Sequence, residues 1–297
     1  MKLDKPIKAI RESYLEVMIK KDHCSCKIPQ EKEIIKIIEL TKEIIFPGYF
    51  SNKHLSELPG ETHTKRVVKK LHKILKEQIK YSLLYLADAE KSKQLTEKSC
   101  VLCVDFIKKI PEIRQLVYLD AKAHFINDPA AYNHDQVILS YPGLFAIMVY
   151  RIAHCLDKIG VQIIPRMMTE YSHRLTGIDI NPKAVIGKSF FIDHGTGVVI
   201  GETTLIKDNV KLYQGVTLGA MSLRKGQELK GKKRHPTIED NVTIYANASI
   251  LGGETIIGEN SVIGSNVFIT KSIPKNMIVT SKEPELILRE NKKNVII

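Results

Sequence analysis

The chain has 297 residues, 43% of them apolar, and a formal net charge of +12, enough material for one large or two moderate domains with a substantial core. No uncharged apolar run reaches the ~18 residues of a membrane span, and the start Met1-Lys-Leu-Asp-Lys-Pro6 lacks a signal peptide's apolar stretch. Five cysteines without a secretory signal point to reduced thiols and a cytoplasmic setting, while scattered lysines and the absence of Trp argue against a nucleic-acid face.

The charge then fits either a phosphate-bearing small ligand or plain genome composition. Cys24-Ser-Cys26 and Cys100-Val-Leu-Cys103 lack a second ligand pair at zinc-ribbon spacing, so no metal is expected.

Residues 1–176 read as helical. Glu31–Phe46 places isoleucines at helical spacing and stops at Pro47-Gly48. Thr64–Leu86 repeats Val67, Val68, Leu71, Ile74, Leu75 and Ile79 as one amphipathic face. Helices are predicted over Ser99–Ile110, ending near Pro111, and over Glu112–Ile126, carrying Asp120. Asn127-Asp128-Pro129-Ala130 makes a turn or a helix start. Tyr141-Pro142-Gly143 opens a helix to Lys158, broken by Gly160, and Val161–Leu175 is the last.

At Gly177 the composition shifts to Val, Ile, Gly, Asn and Thr. Aliphatic residues then recur every six positions, at Ile180, Ile186 and Ile192, then at Ile200, Ile206, Leu212 and Leu218, again at Ile238, Ile244 and Ile250, and after a one-residue slip at Ile257, Ile263 and Ile269. Neither a helix nor a single strand has this period. A parallel coil of short strands with one inward aliphatic per face does. A basic stretch at 220–236 interrupts the count, as an outward loop of such a coil would. The expected domains are 1–176, 177–284 and a tail at 285–297.

Several residues on this coil could carry chemistry. Asp193-His194 is either a solvated corner pair or a base beside a carboxylate. Asp179 precedes His194 by 15 residues; with about 18 residues per coil it lies on the adjacent turn, three residues short of stacking, a spacing that permits, without proving, a contact that orients the imidazole. Arg234-His235-Pro236 ends the basic loop, and its guanidinium suits a carboxylate or phosphate or is simply solvated. Glu202 is a site acid or an exposed corner. Asp120 attracts no notice by itself. Gly219, Ala220 and Ala246 are small corner residues that permit a ligand's close approach or serve tight turns.

Taken in order, Ile178-Asp-Ile-Asn-Pro182, Asp193-His194-Gly-Thr-Gly-Val-Val-Ile-Gly-Glu202, Gln214-Gly-Val-Thr-Leu-Gly219, Arg234-His235-Pro236 and Ile250-Leu-Gly252 resemble the motifs of the serine O-acetyltransferases. Upstream, Asp120 with Asn127-Asp128-Pro129-Ala130 is similar to that family's helical serine-site segment, and Phe46-Pro-Gly-Tyr-Phe50 to its longer members. The resemblance covers roughly residues 30 to 280 and implies an α+β protein, a left-handed parallel β-helix of hexapeptide repeats behind an α-helical domain. The hand comes from the resemblance, since general crossover rules favour the right.

The resemblance also implies trimers, often paired into hexamers, with sites between neighbouring coils. It makes His194 the base that takes the serine hydroxyl proton for attack on acetyl-CoA, and Asp179 its orienting partner. Asp120 and Asp193 would hold the substrate ammonium, Arg234 and His235 its carboxylate, with Glu202 in support. Gly219, Ala220 and Ala246 would line the CoA groove. L-cysteine would inhibit at the serine site, and a C-terminal Ile297 would enter O-acetylserine sulfhydrylase.

The chain departs from the family pattern in three places: Ala220 where a second glycine is usual, a longer loop before Arg234, and Val262 where a lysine is frequent. Competing readings are an acyltransferase for another amino acid or small alcohol, a β-helix carbonic anhydrase and an idle scaffold. The second needs three zinc histidines and finds only His194 and His235 in the coil region. The third needs neither Asp179 nor His194.

Overall fold

The computed structural model describes residues 3–16, 27–50, 60–86, 92–222, 226–282 and 287. Expectations for Cys24, Cys26 and Ile297 lie outside the described residues. The chain divides into two compact units, Met1–Ile110 with Leu156–Met167, and Pro111–Cys155 with Met168–Ile297.

In the first unit lie helices α1 (Asp4–Glu16), α2 (Glu31–Ile45) and α3 (Glu61–Leu86). The predicted apolar stripes become its core, with Ile34, Ile37, Ile38, Leu71, Leu75 and Ile79 at 1% exposure or less. Buried Gln78 is satisfied by accepting from the Gln30 N–H at the start of α2, 2.8 Å away.

Two expected helices are one. Helix α4 runs from Ser92 to Asn127 with Pro111 inside it. An interior proline removes a hydrogen bond at a cost of about 3 kcal/mol. Apolar residues buried on both sides of it, Phe106 and Ile110 before and Ile113 and Val117 after, offset that loss. Cys103 on this helix is buried and its thiol faces the His72 carbonyl; burial, then the nearby Cys100, pushes it up to about 12, far from a metal-ready thiolate.

The Asp128-Pro129 step does not start a helix. Asp128 Oδ1 accepts from Ala130 N–H at 2.8 Å, closing a local turn. Helix α5 begins six residues later, at His134–Ser140, where Asn133 caps it by accepting from Gln136 N–H. Helices α6 (Pro142–Lys158) and α7 (Ile164–Thr176) follow. No single described helix is long and apolar enough to cross a membrane.

From Asp179 the chain winds into a left-handed parallel β-helix with three faces. Face A stacks β1 (Asp179–Ile180), β4 (Val199–Ile200), β7 (Thr217–Gly219), β10 (Ser249–Leu251) and β13 (Phe268–Ile269). Face B stacks β2 (Val185–Ile186), β5 (Leu205–Ile206), β8 (Thr237–Ile238) and β11 (Ile256–Ile257). Face C stacks β3 (Phe191–Ile192), β6 (Lys211–Leu212), β9 (Thr243–Ile244), β12 (Val262–Ile263) and β14 (Ile278–Val279).

The six-residue aliphatics all point inward, each at 7% exposure or less, and stack in register, as in Ile192, Leu212, Ile244 and Ile263. Each such burial is worth about 1.5–3 kcal/mol. That stack, rather than the propensity of two-residue strands, holds the coil. Ala146, Ile147 and Tyr150 of α6 join the same core, and Tyr150 Oη donates to the Ala184 carbonyl at 2.7 Å. The basic loop leaves from the corner between faces A and B and carries one 3-10 turn, Gly226–Leu229.

The first coil differs from the count. Asp179 pairs with Val199 rather than with Gly197, so this turn is two residues longer than three sixes. The extra residues fall in the corner from Asp193 to Val198, between faces C and A.

Candidate active site

That enlarged corner is built on left-handed backbone. His194 sits at φ 56, followed by Gly195 at φ 82 and Gly197 at φ 83. A non-glycine residue there is strained by about 1–2 kcal/mol. The corner is tied down from both ends: Gly197 N–H donates to the Gly177 carbonyl at 2.8 Å, and His194 N–H to Asp193 Oδ1 at 2.9 Å. The result is an imidazole side chain 70% exposed, its Nε2 3.7 Å from Asp193 Oδ2.

Beside it stands a carboxylate that sequence reasoning passed over. Asp128 accepts from Tyr141 Oη at 2.5 Å and from Ala130 N–H. These bonds, the Tyr141 one foremost, hold Asp128 below the usual carboxylate range against partial burial, and His194 and His124 add to the shift. Tyr141 is pushed up to about 12 by burial and by Asp128, with Asp193 contributing. Asp128, Asp193, Tyr141 and His194 therefore share one electrostatic neighbourhood.

Under them lies His124, fully buried, its ring edge-on to Phe191 at 5.0 Å and to Tyr141 at 6.3 Å. Nδ1 faces the Asp120 carbonyl at 2.7 Å. A carbonyl only accepts, so the proton sits on Nδ1, and burial holds the ring neutral by lowering its pKa. The signal for Asp128 was in its own motif, Asn-Asp-Pro-Ala. What misled was treating that aspartate as a helix cap.

Asp120, expected to hold the substrate ammonium, is elsewhere committed. It is at 0% exposure. Arg151 Nε and Nη2 donate to it at 2.5 and 2.8 Å, and Phe190 N–H at 3.0 Å. Arg151 donates onward to the carbonyls of Ile186 and Gly187. The carboxylate is saturated and walled off from solvent, so it pins the helices to the first coil instead of meeting a ligand. Asp120→Ala leaves a buried guanidinium uncompensated and is expected to lower unfolding stability by about 3–5 kcal/mol, read by denaturant melting, with KM for substrate unchanged.

A second set sits at the corner between faces A and B. Arg234 Nη2 forms a tight ion pair with Glu202 Oε2, and Lys183 Nζ is 3.1 Å from Glu202 Oε1. Burial works to raise Glu202, and the bonds from Arg234 and Lys183 outweigh it and keep the carboxylate low. His235 is 7% exposed and accepts from Thr203 N–H at Nδ1. Burial, then Arg234, lowers it to about 4, so the ring is neutral with its proton on Nε2. That ring packs against Gly201, where a Cβ would come within 2.0 Å of it. Gly219 closes β7 at the same corner and Ala220 follows it.

Asp193, His194 and Ala246 thus share the C–A corner, and Glu202, Arg234, His235, Gly219 and Ala220 the A–B corner. Among the described residues no hydrogen bond or ion pair joins the two sets. Tyr213 and Tyr245 extend the first set along the coil, stacked at 4.9 Å. Asp179 begins β1 on face A; its carboxylate lies within 4.8 Å of ligand atoms of Glu170 and His173. The two coil histidines fall at different corners, which does not favour a shared zinc within one chain.

Comparison with known proteins agrees with this layout. Residues 235–271 match the model for bacterial transferase hexapeptide repeats. The chain is 39% identical over 227 residues to a plasmid-encoded serine acetyltransferase of Synechococcus elongatus, covering 74% of this chain and 71% of that one. It is 50% identical over 125 residues to the Bacillus subtilis serine acetyltransferase, a match spanning 42% of this chain and 55% of the relative. Among solved structures, serine acetyltransferase isoform 3 of Entamoeba histolytica, in complex with cysteine, superposes with a TM-score of 0.73 at 35% identity, over 97% of this chain and 95% of that one. An identity of 39% that spans 74% of this chain and 71% of the Synechococcus elongatus relative places the chain in the serine acetyltransferase family.

Proposed function

We propose that the chain transfers acetyl from acetyl-CoA to the L-serine hydroxyl, with His194 as general base. The observation that carries this reading is the Asp193–Gly197 corner, which holds an exposed imidazole 3.7 Å from the Asp193 carboxylate and within electrostatic reach of Asp128. Those two suit an ammonium group, with Asp128 in the role first expected of Asp120 and Asp193 in the one expected of it. Arg234, fixed by Glu202, suits the substrate carboxylate. His235, neutral and bonded to Thr203, supports the loop that presents Arg234.

In the reaction His194 accepts the serine hydroxyl proton as the oxygen forms its bond to the thioester carbonyl. The tetrahedral adduct collapses, the carbon–sulfur bond breaks, and His194 returns the proton to the departing thiolate. Asp179 orients the imidazole and balances its charge. The pantetheine arm runs past Ala246, Gly219 and Ala220.

The two corners lie at opposite edges of face A, so a complete site draws on two chains, as in a trimer with face A turned inward. The cysteine-bound Entamoeba histolytica relative supports L-cysteine as an inhibitor that takes the serine position. The tail ending in Ile297 fits the sulfhydrylase as partner. The reduced thiols of Cys100 and Cys103 fit a cytoplasmic location.

Thiol release from acetyl-CoA, followed with a panel of amino acids, tests the reading. Release with L-serine above the others supports it, and no release with serine overturns it. In the same assay Asp128→Asn is expected to raise KM for serine about ten- to hundredfold, the worth of one charged hydrogen bond, with KM for acetyl-CoA unchanged.

A further inference from the structure

The rings around the enlarged corner form one continuous run. Tyr141 meets His124 edge-on at 6.3 Å, and His124 meets Phe191 edge-on at 5.0 Å. Phe191 in turn meets Tyr213 edge-on at 6.2 Å, and Tyr213 stacks on Tyr245 at 4.9 Å. Edge-on and stacked pairs are the favoured ring geometries, so each ring holds the orientation of the next.

Register sets where Tyr213 stands. Ile192 pairs with Leu212, and Leu212 with Ile244. Asp193 N–H donates to the Leu212 carbonyl at 3.0 Å, and Tyr213 N–H to the Ile244 carbonyl at 3.1 Å. Asp193, Tyr213 and Tyr245 therefore form one column, each just after an inward aliphatic of face C. Neighbouring strands lie about 4.8 Å apart, so Tyr213 is the residue one step along the coil from Asp193.

Tyr213 is half-buried. Burial, then Tyr245, raises its phenol, and Asp193 and Asp128 both add to the shift. Among the described residues no hydrogen bond reaches its hydroxyl, and no lysine or arginine lies over its ring. A ring beside two carboxylates, not taken by a cation of its own chain, suits a cation brought by a ligand.

We propose that Tyr213 is a specificity-determining residue, making with Asp128 and Asp193 a cage of one ring and two acids for a primary ammonium group. The inference rests on the reading that those two carboxylates hold the L-serine ammonium, and it names the side chain that adds selectivity for that group. The quadrupole of the ring attracts the cation and gives nothing to a ligand without one. Tyr245 acts through Tyr213, by stacking against it.

Steady-state thiol release on the full chain, with L-serine and acetyl-CoA, tests this. Tyr213→Leu is expected to raise KM for L-serine about three- to thirtyfold, the range for a cation beside an aromatic ring, with kcat and KM for acetyl-CoA within about twofold. Tyr213→Phe, which returns a ring to the position, is expected to recover KM to within about twofold of the parent. Competition with 3-hydroxypropanoate, which is L-serine without its ammonium, separates recognition from packing. Its inhibition constant is expected to differ less than about twofold between the parent and Tyr213→Leu. Thermal melting checks the fold, and Tyr213→Met gives the same comparison with a longer apolar side chain if Tyr213→Leu melts early.

Unchanged KM for L-serine in Tyr213→Leu overturns the proposal. So does a loss that Tyr213→Phe fails to recover, or one that 3-hydroxypropanoate shares in full. Asp193→Asn with normal KM for L-serine is a different failure: it removes the ammonium site on which the proposal stands.

Discussion

His194→Asn is expected to lower kcat by about 10²–10⁴-fold, the usual contribution of a positioned general base, with the fold retained. Asparagine is the informative replacement because of the backbone. Position 194 is held at φ 56, where Asn is among the few residues that sit without much strain. The amide cannot take a proton at neutral pH, so it removes the base while respecting the corner. His194→Ala loses the same turnover and in addition strains the corner by about 1 kcal/mol, visible as a lower melting temperature. Thiol release with L-serine and acetyl-CoA reads the first effect, and calorimetry of the two variants separates the second. Turnover above a tenth of the parent in His194→Asn would remove His194 from the chemistry.

The coil was readable because its period is forced by geometry: one inward aliphatic per face, every six residues, with no alternative fold to confuse it. Ile180 through Ile269 are buried as that period requires. Length was less readable. The extra two residues in the first coil lie among Gly and Thr residues that carry no period, so the contact geometry of Asp179 could not follow from counting. The corners hid a further device. Asn209, Asn241, Asn260 and Asn276 all adopt positive φ and form a ladder of side-chain amide bonds at 3.0–3.1 Å. Sequence shows those asparagines without showing that they stack.

Asp120 and Asp128 mark the other limit. Both are carboxylates eight residues apart, one inside the last turns of α4 and one just past its end. Only three-dimensional packing tells them apart. Arg151, far along the chain on α6, reaches Asp120 and saturates it, whereas Asp128, bonded by Tyr141 and Ala130 N–H, stays partly exposed and within electrostatic reach of His194. A long-range partner of this kind has no local signature. Helix α4 running through Pro111 has the same cause, since burial on either side of the proline overrides its local preference.

The distribution of the site over two corners leads to the second large effect. Arg234→Ala is expected to abolish most turnover on its own, through loss of the substrate carboxylate's partner and release of Glu202. His194→Asn does so through loss of the base. In one chain these residues lie at opposite edges of face A, and among the described residues no hydrogen bond or ion pair joins their sets. On the proposed reading, a complete site takes His194 from one chain and Arg234 from the next. When the two variants are unfolded together, mixed in equal amounts and refolded, about a quarter of the sites in a randomly assembled ring receive both intact residues. Activity should return to roughly that fraction of the parent, well above either variant refolded alone. The double variant, His194→Asn with Arg234→Ala in one chain, should donate nothing to either. A site confined to one chain predicts no recovery on mixing, because every His194 that remains would still face an alanine at 234. Recovery near a quarter would assign the base and the guanidinium to different subunits, with face A between them.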